Sequence, residues 1–137
     1  MSEPLPVASF LCEDVLPSTL IDDRATFYRV FYDLYVPGVP HRIYRLFLVN
    51  LWRGGDGEYV SRTRILTPSG LLAGESEATF VARPTGHHME ICVFDDFWVP
   101  EPGEYAVEVY RNDHLVSTYT FVIVARASES EGRTQER

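Results

Sequence analysis

The residues that invite a chemical reading are few. His87-His88-x-Glu90 places two imidazoles and a carboxylate within four positions. On an extended chain neighbouring side chains point to opposite faces, so His88 and Glu90 share a face while His87 looks away. That supplies two ligands of the three or four that zinc takes, and the plainer expectation is the polar start of a strand. Three acidic pairs, Glu13-Asp14, Asp22-Asp23 and Asp95-Asp96, sit where strands should end, but none has the spacing of a calcium loop. They read as solvated turn residues. Cys92 lies between Ile91 and Val93, a setting for an inert core thiol. Paired carboxylates could be drawn from Glu75, Glu77 and Glu90, as in any acidic domain. The chain holds no G-x-S-x-G, no glycine-rich phosphate loop and no H-E-x-x-H. The expectation is a protein that is not an enzyme, with no cofactor and no metal.

The aromatic residues are the stronger signal. Eight Phe, eight Tyr and two Trp stand among 137 residues. If strands populate both faces, some of Tyr28, Tyr32, Tyr35, Tyr44, Trp52 and Trp98 must look outward. Exposed Tyr and Trp favour protein interfaces and sugar-stacking platforms.

The elements that must position these residues are strands. Val7–Cys12 is a short apolar run bounded by Pro6 and Glu13-Asp14, with a loop expected after it. TFYRVFYDLYV, residues 26–36, fits either an amphipathic helix, with aromatics four apart, or a strand; aromatic and β-branched content and the lack of clear caps favour one strand. VPGVP breaks the chain, and HRIYRLFLVNLW, residues 41–52, is apolar enough for a strand buried on both faces. EYVSRTRIL, residues 58–66, is expected to pair with it as a hairpin across RGGDG. LLAGESEATFVA (71–82), bent near Gly74, and HHMEICVFDDF (87–97) continue the series.

EPGEYAVEVYRNDHLVSTYTFVIV, residues 101–124, is a hairpin. A two-residue loop at Asn112-Asp113 would set Tyr105, Val107 and Val109 opposite Val116, Thr118 and Thr120. A three-residue loop, 112–114, sets Tyr105 opposite Phe121 and Val107 opposite Tyr119, which gathers the large residues, and is preferred, with His114 left-handed. Seven to eight short strands with regular turns make an all-β antiparallel sandwich in one domain, residues 1–125. Residues 126–137, polar apart from Ala, form an expected disordered tail.

Twelve basic against twenty acidic residues give a net charge of −8, which disfavours nucleic acid. All twelve basic residues are Arg, a composition that carries no function by itself. No apolar run reaches the roughly 18–20 residues of a membrane span, and the opening MSEPLPVASF has no signal-peptide pattern, so the expected compartment is the cytoplasm. There Cys12 and Cys92 are expected to be reduced core residues.

The order of ASFLCED, GEYVSRTRILTPSGLLAGESEATF and VPEPGEYAVEVYRNDHLVSTYTFVIV resembles a family of small uncharacterised bacterial proteins with an immunoglobulin-like β-sandwich. The resemblance covers residues 7–124 and implies that fold and a cytoplasmic domain, with no assigned activity and no motif to carry over. The chain departs from true immunoglobulin domains: Cys12, Trp52 and Cys92 are 40 apart on each side, and Glu90 stands where a corner tyrosine would precede the second Cys. The functional expectation is a non-enzymatic module that meets a protein partner or forms a homo-oligomer, through the 27–36 aromatic segment or an unpaired sheet edge. Tyr28, Tyr32, Tyr35, Trp52 and Trp98 are the candidate surface. The alternatives are a carbohydrate-binding module stacking sugars on Trp52 and Trp98, and a metal-dependent hydrolase-like site at His88 and Glu90.

Overall fold

β-branched and aromatic residues at alternate positions build nine strands among the described residues, one or two more than the turn signals suggest. A computed structural model describes residues 3–17 and 25–126. The strands are β1 (Leu5–Pro17), β2 (Ala25–Phe31), β3 (Asp33–Val36), β4 (His41–Arg53), β5 (Gly57–Leu66), β6 (Leu72–Ala82), β7 (His87–Val99), β8 (Gly103–Arg111) and β9 (His114–Ala125). Sheet A has the order β2-β1-β4-β7 and sheet B the order β3-β9-β8-β5-β6. Among the described residues, the β3/β9 pair alone is parallel. No described segment is helical, so none is a helix able to cross a membrane. The expected tail, apart from Arg126, and the pair Asp22-Asp23 lie outside the described residues.

The two sheets bury one shared core. Leu11, Leu48 and Trp52 from sheet A meet Ile65, Tyr105, Val107 and Phe121 from sheet B, all at most 1% exposed. Gly74 lets the sheets close at the β6/β7 side, because a Cβ there would lie 2.9 Å from the Phe94 ring. A side chain at this point would push the layers apart.

Several expectations are corrected. Residues 26–36 are not one strand: the chain leaves sheet A after Phe31 and enters sheet B at Asp33. The first strand runs on past Cys12 to Pro17 and pairs with β2. β5 does not form a hairpin with β4; the RGGDG segment carries the chain to the other sheet, where β5 pairs with β6 and β8.

The terminal hairpin has the expected pairs Tyr105↔Phe121 and Val107↔Tyr119. Its turn is different, since Arg111 faces His114 and the loop is only Asn112-Asp113, with φ of 46° and 69°. Two left-handed residues suit a tight hairpin turn. A register shift between Val109 and Tyr110 then restores the pairing of large residues.

Sheet A is bent. Glu13 and Arg29 have no partner in the β1/β2 ladder, and Arg29 has φ 55°. Phe27 pairs with Val15, yet its ring meets Phe10 edge-on at 5.0 Å. Five residues of flat strand would hold those positions about 16 Å apart, so the end of the β1/β2 hairpin folds back over the outer side of the sheet. That cover accounts for Cys12 and Val49, which are 0% exposed at outward positions and stand outside the main core cluster.

Candidate interaction surface and buried polar cluster

The inner faces of β1, β4, β5, β7 and β9 bring polar side chains together inside the sandwich. Asn50 accepts from Ser9 Oγ at 2.7 Å and donates from Nδ2 to Thr63 Oγ1 at 2.9 Å and Glu90 Oε1 at 3.2 Å. Glu90 Oε1 also accepts from Ser61 Oγ at 2.6 Å and Trp52 Nε1 at 3.3 Å. Ser9 and the Tyr119 hydroxyl lie 2.8 Å apart. Glu90 is 6% exposed, and among the described residues it forms no ion pair and its Oε2 has no hydrogen-bond partner. Three donors on one oxygen offset part of the cost of burying the carboxylate.

Burial, helped by the Glu90 charge, pushes the Cys92 thiol up to about 12. Burial also raises the Tyr119 hydroxyl, and it lowers the His88 imidazole, which lies flat on Phe80 with ring centroids 4.6 Å apart. In each of these three groups burial favours the neutral form. Trp52, Phe80, His88 and Arg83 line a cavity of about 180 Å³ at its end.

The outward aromatics gather elsewhere. The β4/β7 ladder is interrupted at Tyr44 and Asp96, where Asp96 has φ 52°. The kink turns Tyr44 and Arg45 to solvent while Ile43 and Leu46 stay inside. β1 pairs with β4 only from Phe47 onward, which among the described residues leaves 41–46 without a partner on that side. An open groove of about 570 Å³ results, lined by Asp14, Tyr35, Arg42, Tyr44, Arg45 and Phe47 among others. Guanidinium groups lie over its rings and their neighbours: Arg126 on Tyr35 at 4.0 Å, Arg42 on Trp98 at 4.9 Å and Arg45 on Tyr44 at 5.3 Å. Arg45 Nε also reaches Asp95 at 2.7 Å.

Sheet B is charged outside. Arg62 and Arg64 lie 3.7 and 3.8 Å from Glu75, and Arg64 lies 3.8 Å from Glu108. This is an ordinary solvated sheet face.

Of the expected surface residues, Tyr28, Tyr32, Tyr35 and Trp98 are exposed by 44–54%, and Tyr44 by 76%. Trp52 is a correction: it is 1% exposed, with its indole committed to Glu90. The pair of tryptophan platforms is thereby lost, since Trp98 alone reaches solvent. His88 and Glu90 do share a face, but among the described residues no group of three His, Cys, Asp or Glu side chains gathers around them. Glu75 and Glu77 face solvent, across a sheet from Glu90. Cys12 and Cys92 are free and buried, as expected.

Sequence reasoning missed the polar cluster. Ser61 and Thr63 are 0% exposed although both are polar. The parity signal was present: Arg62 and Arg64 share one face, which leaves Ser61 and Thr63 on the face of Ile65.

Fold and surface together define an immunoglobulin-like β-sandwich module. At the start of β8 the Tyr105 hydroxyl donates to the Glu101 carbonyl at 2.6 Å, the hydrogen bond of a tyrosine corner. Among solved structures the chain is similar to an immunoglobulin-like protein from Pseudomonas aeruginosa, at 13% identity and a TM-score of 0.40, over 89% of this chain and 97% of that one. No protein-family model matches the chain, and no curated protein does.

Proposed function

We propose that the chain is a non-enzymatic binding module that meets a protein partner at the Tyr35/Tyr44 groove. The observation that carries this reading is the groove itself: the exposed Tyr35 and Tyr44 rings, each beneath an arginine, with Arg42 of the lining over the neighbouring Trp98, beside a stretch of β4 that among the described residues pairs only with β7. Tyr, Trp and Arg are the residue types in which binding energy concentrates at interfaces. The open side of β4 at 41–46 offers backbone groups to an extended segment. A binding role rather than a catalytic one is supported by the interior chemistry, because Ser61 and Cys92, the hydroxyl and thiol nearest Glu90, are sealed from solvent. Two free buried cysteines fit a reducing compartment such as the cytoplasm.

The test is affinity capture from lysate read by mass spectrometry, with wild type against a Tyr35→Ala, Tyr44→Ala double variant. Both rings are more than half exposed, so the variant folds normally. A reproducible partner lost in the variant supports the groove. A folded variant that keeps every partner refutes it.

A further inference from the structure

β1 runs antiparallel to β4 as far as the pair Cys12↔Phe47 and then turns off with β2. Among the described residues, no strand continues its course beside residues 41–46, and the groove lies there, about 20 Å long. Its two ends differ in charge. At the Phe47 end Arg45 is paired with Asp95 at 2.7 Å and Glu13 with Arg29 at 3.6 Å. That leaves Asp14 as the lining charge with no ion pair among the described residues. The Arg45 guanidinium is pushed up first by its hydrogen bond to Asp95 and last by Asp14, which places the Asp14 carboxylate near this end.

At the His41 end the sign is opposite. Arg42 lies over Trp98 and donates from Nη1 to the Asp96 carbonyl at 3.1 Å. Arg126 lies over Tyr35, and its backbone N–H donates to the carbonyl of Val36, which the VPGVP turn joins to His41. Neither guanidinium has a carboxylate within ion-pair distance among the described residues. Two stacked cations against the one carboxylate of Asp96 leave this end positive.

We infer that the partner of the groove inserts an extended segment beside residues 41–46 of β4, with a basic side chain toward Asp14 and, about four residues later, an acidic one toward Arg42. This rests on the reading of the groove as a protein-binding site and adds the chemistry of what enters it. Sheet A is antiparallel in all its described pairs, and an antiparallel strand beside β4 runs as β1 does, from the Phe47 end to the His41 end. The basic residue therefore comes first in the segment. Arg42, held flat on Trp98, presents its remaining N–H groups as a fork for a carboxylate. A wholly acidic segment would meet the net charge of −8, whereas one that carries both signs does not.

Two capped peptides of equal composition test sign and direction together: Thr-Lys-Thr-Val-Thr-Glu-Thr and its reverse, Thr-Glu-Thr-Val-Thr-Lys-Thr, each titrated into the full chain and followed by amide NMR. The expected result is shifts centred on residues 41–46 and binding of the first peptide at least about fivefold tighter than the second. In an Asp14→Arg, Arg42→Glu double variant, changed at two exposed sites, that preference should be lost or inverted. A ratio below about fivefold in wild type, a preference unchanged in the variant, shifts away from 41–46, or no binding of either peptide by about 1 mM overturns the inference. The two readings fail separately. A captured partner that is lost in Tyr35→Ala, Tyr44→Ala, beside peptides that bind equally, keeps the groove and removes this inference; a folded variant that keeps every partner removes both.

Discussion

Glu90 gives the most quantitative prediction about the interior. Its Oε1 serves Ser61, Asn50 and Trp52, and of these Asn50 alone has a second acceptor, Thr63. Glu90→Leu therefore strands two buried donors, the Ser61 hydroxyl and the Trp52 indole. At about 1–3 kcal/mol for each unsatisfied group the loss is about 4 kcal/mol, and relief of carboxylate burial returns about 1 kcal/mol. The net cost is about 3 kcal/mol, or about 12 °C in Tm at roughly 4 °C per kcal/mol for a domain of this size. Glu90→Gln keeps an oxygen at the Oε1 position and places its amide where Oε2 has no partner, so it should stay within about 1 kcal/mol of wild type. Guanidinium unfolding with an unchanged m-value measures both, and removing the stranded hydroxyl by adding Ser61→Ala to Glu90→Leu should recover about 1–2 kcal/mol. If Gln costs as much as Leu, it is the charge and not the acceptor oxygen that holds the cluster. If Leu costs nothing, the hydrogen-bond reasoning fails.

Other consequences follow from burial and from backbone geometry. Cys92 stays protonated in the folded chain up to about 12 but ionises near 9.0 once unfolded. Its contribution is thus complete below pH 9 and is lost between about pH 9 and 12; at pH 11 that is about 2–3 kcal/mol. Urea unfolding of wild type and Cys92→Ala at pH 7 and pH 11 should show the alkaline loss smaller in the variant by that amount, and equal losses would refute it. Gly55 has φ 93°, and a Cβ there would lie 2.5 Å from Pro4 Cδ and 2.9 Å from Ala82 Cβ. Gly55→Ala should cost about 3 kcal/mol or more, from left-handed strain together with displacement of the segment leading into β1; a thermal melt within about 4 °C of wild type would contradict this.

The limits of the sequence reading have physical causes. Strands were legible wherever period-two alternation met turn residues, and the continuous apolar run of β4 announced burial on both faces, which holds at Leu48 and Val49, 0% exposed, and fails at Arg42, Tyr44 and Arg45, which face solvent. The reason differs on the two sides. Leu48 is buried by the opposite sheet, as any core strand would be, whereas Val49 lies under a hairpin folded over at Glu13 and Arg29. Alternation specifies two faces; it carries no information about what covers them. The switch of sheets at Tyr32 was hidden for a related reason, because β2 and β3 have the same aromatic alternation and only their hydrogen-bonding partners differ. Polar residues raise the sharper version of the problem. Ser61 and Thr63 share the face of Ile65, but the partners that make their burial affordable, Asn50 and Glu90, lie 13 and 29 residues from them in sequence. The terminal hairpin shows that a correct register can rest on a wrong turn: pairing the largest side chains was the stronger constraint, and the bulge at Val109 and Tyr110 absorbed the residue that the two-residue loop left over. Side-chain packing therefore fixed the register of this hairpin, and the turn adapted to it.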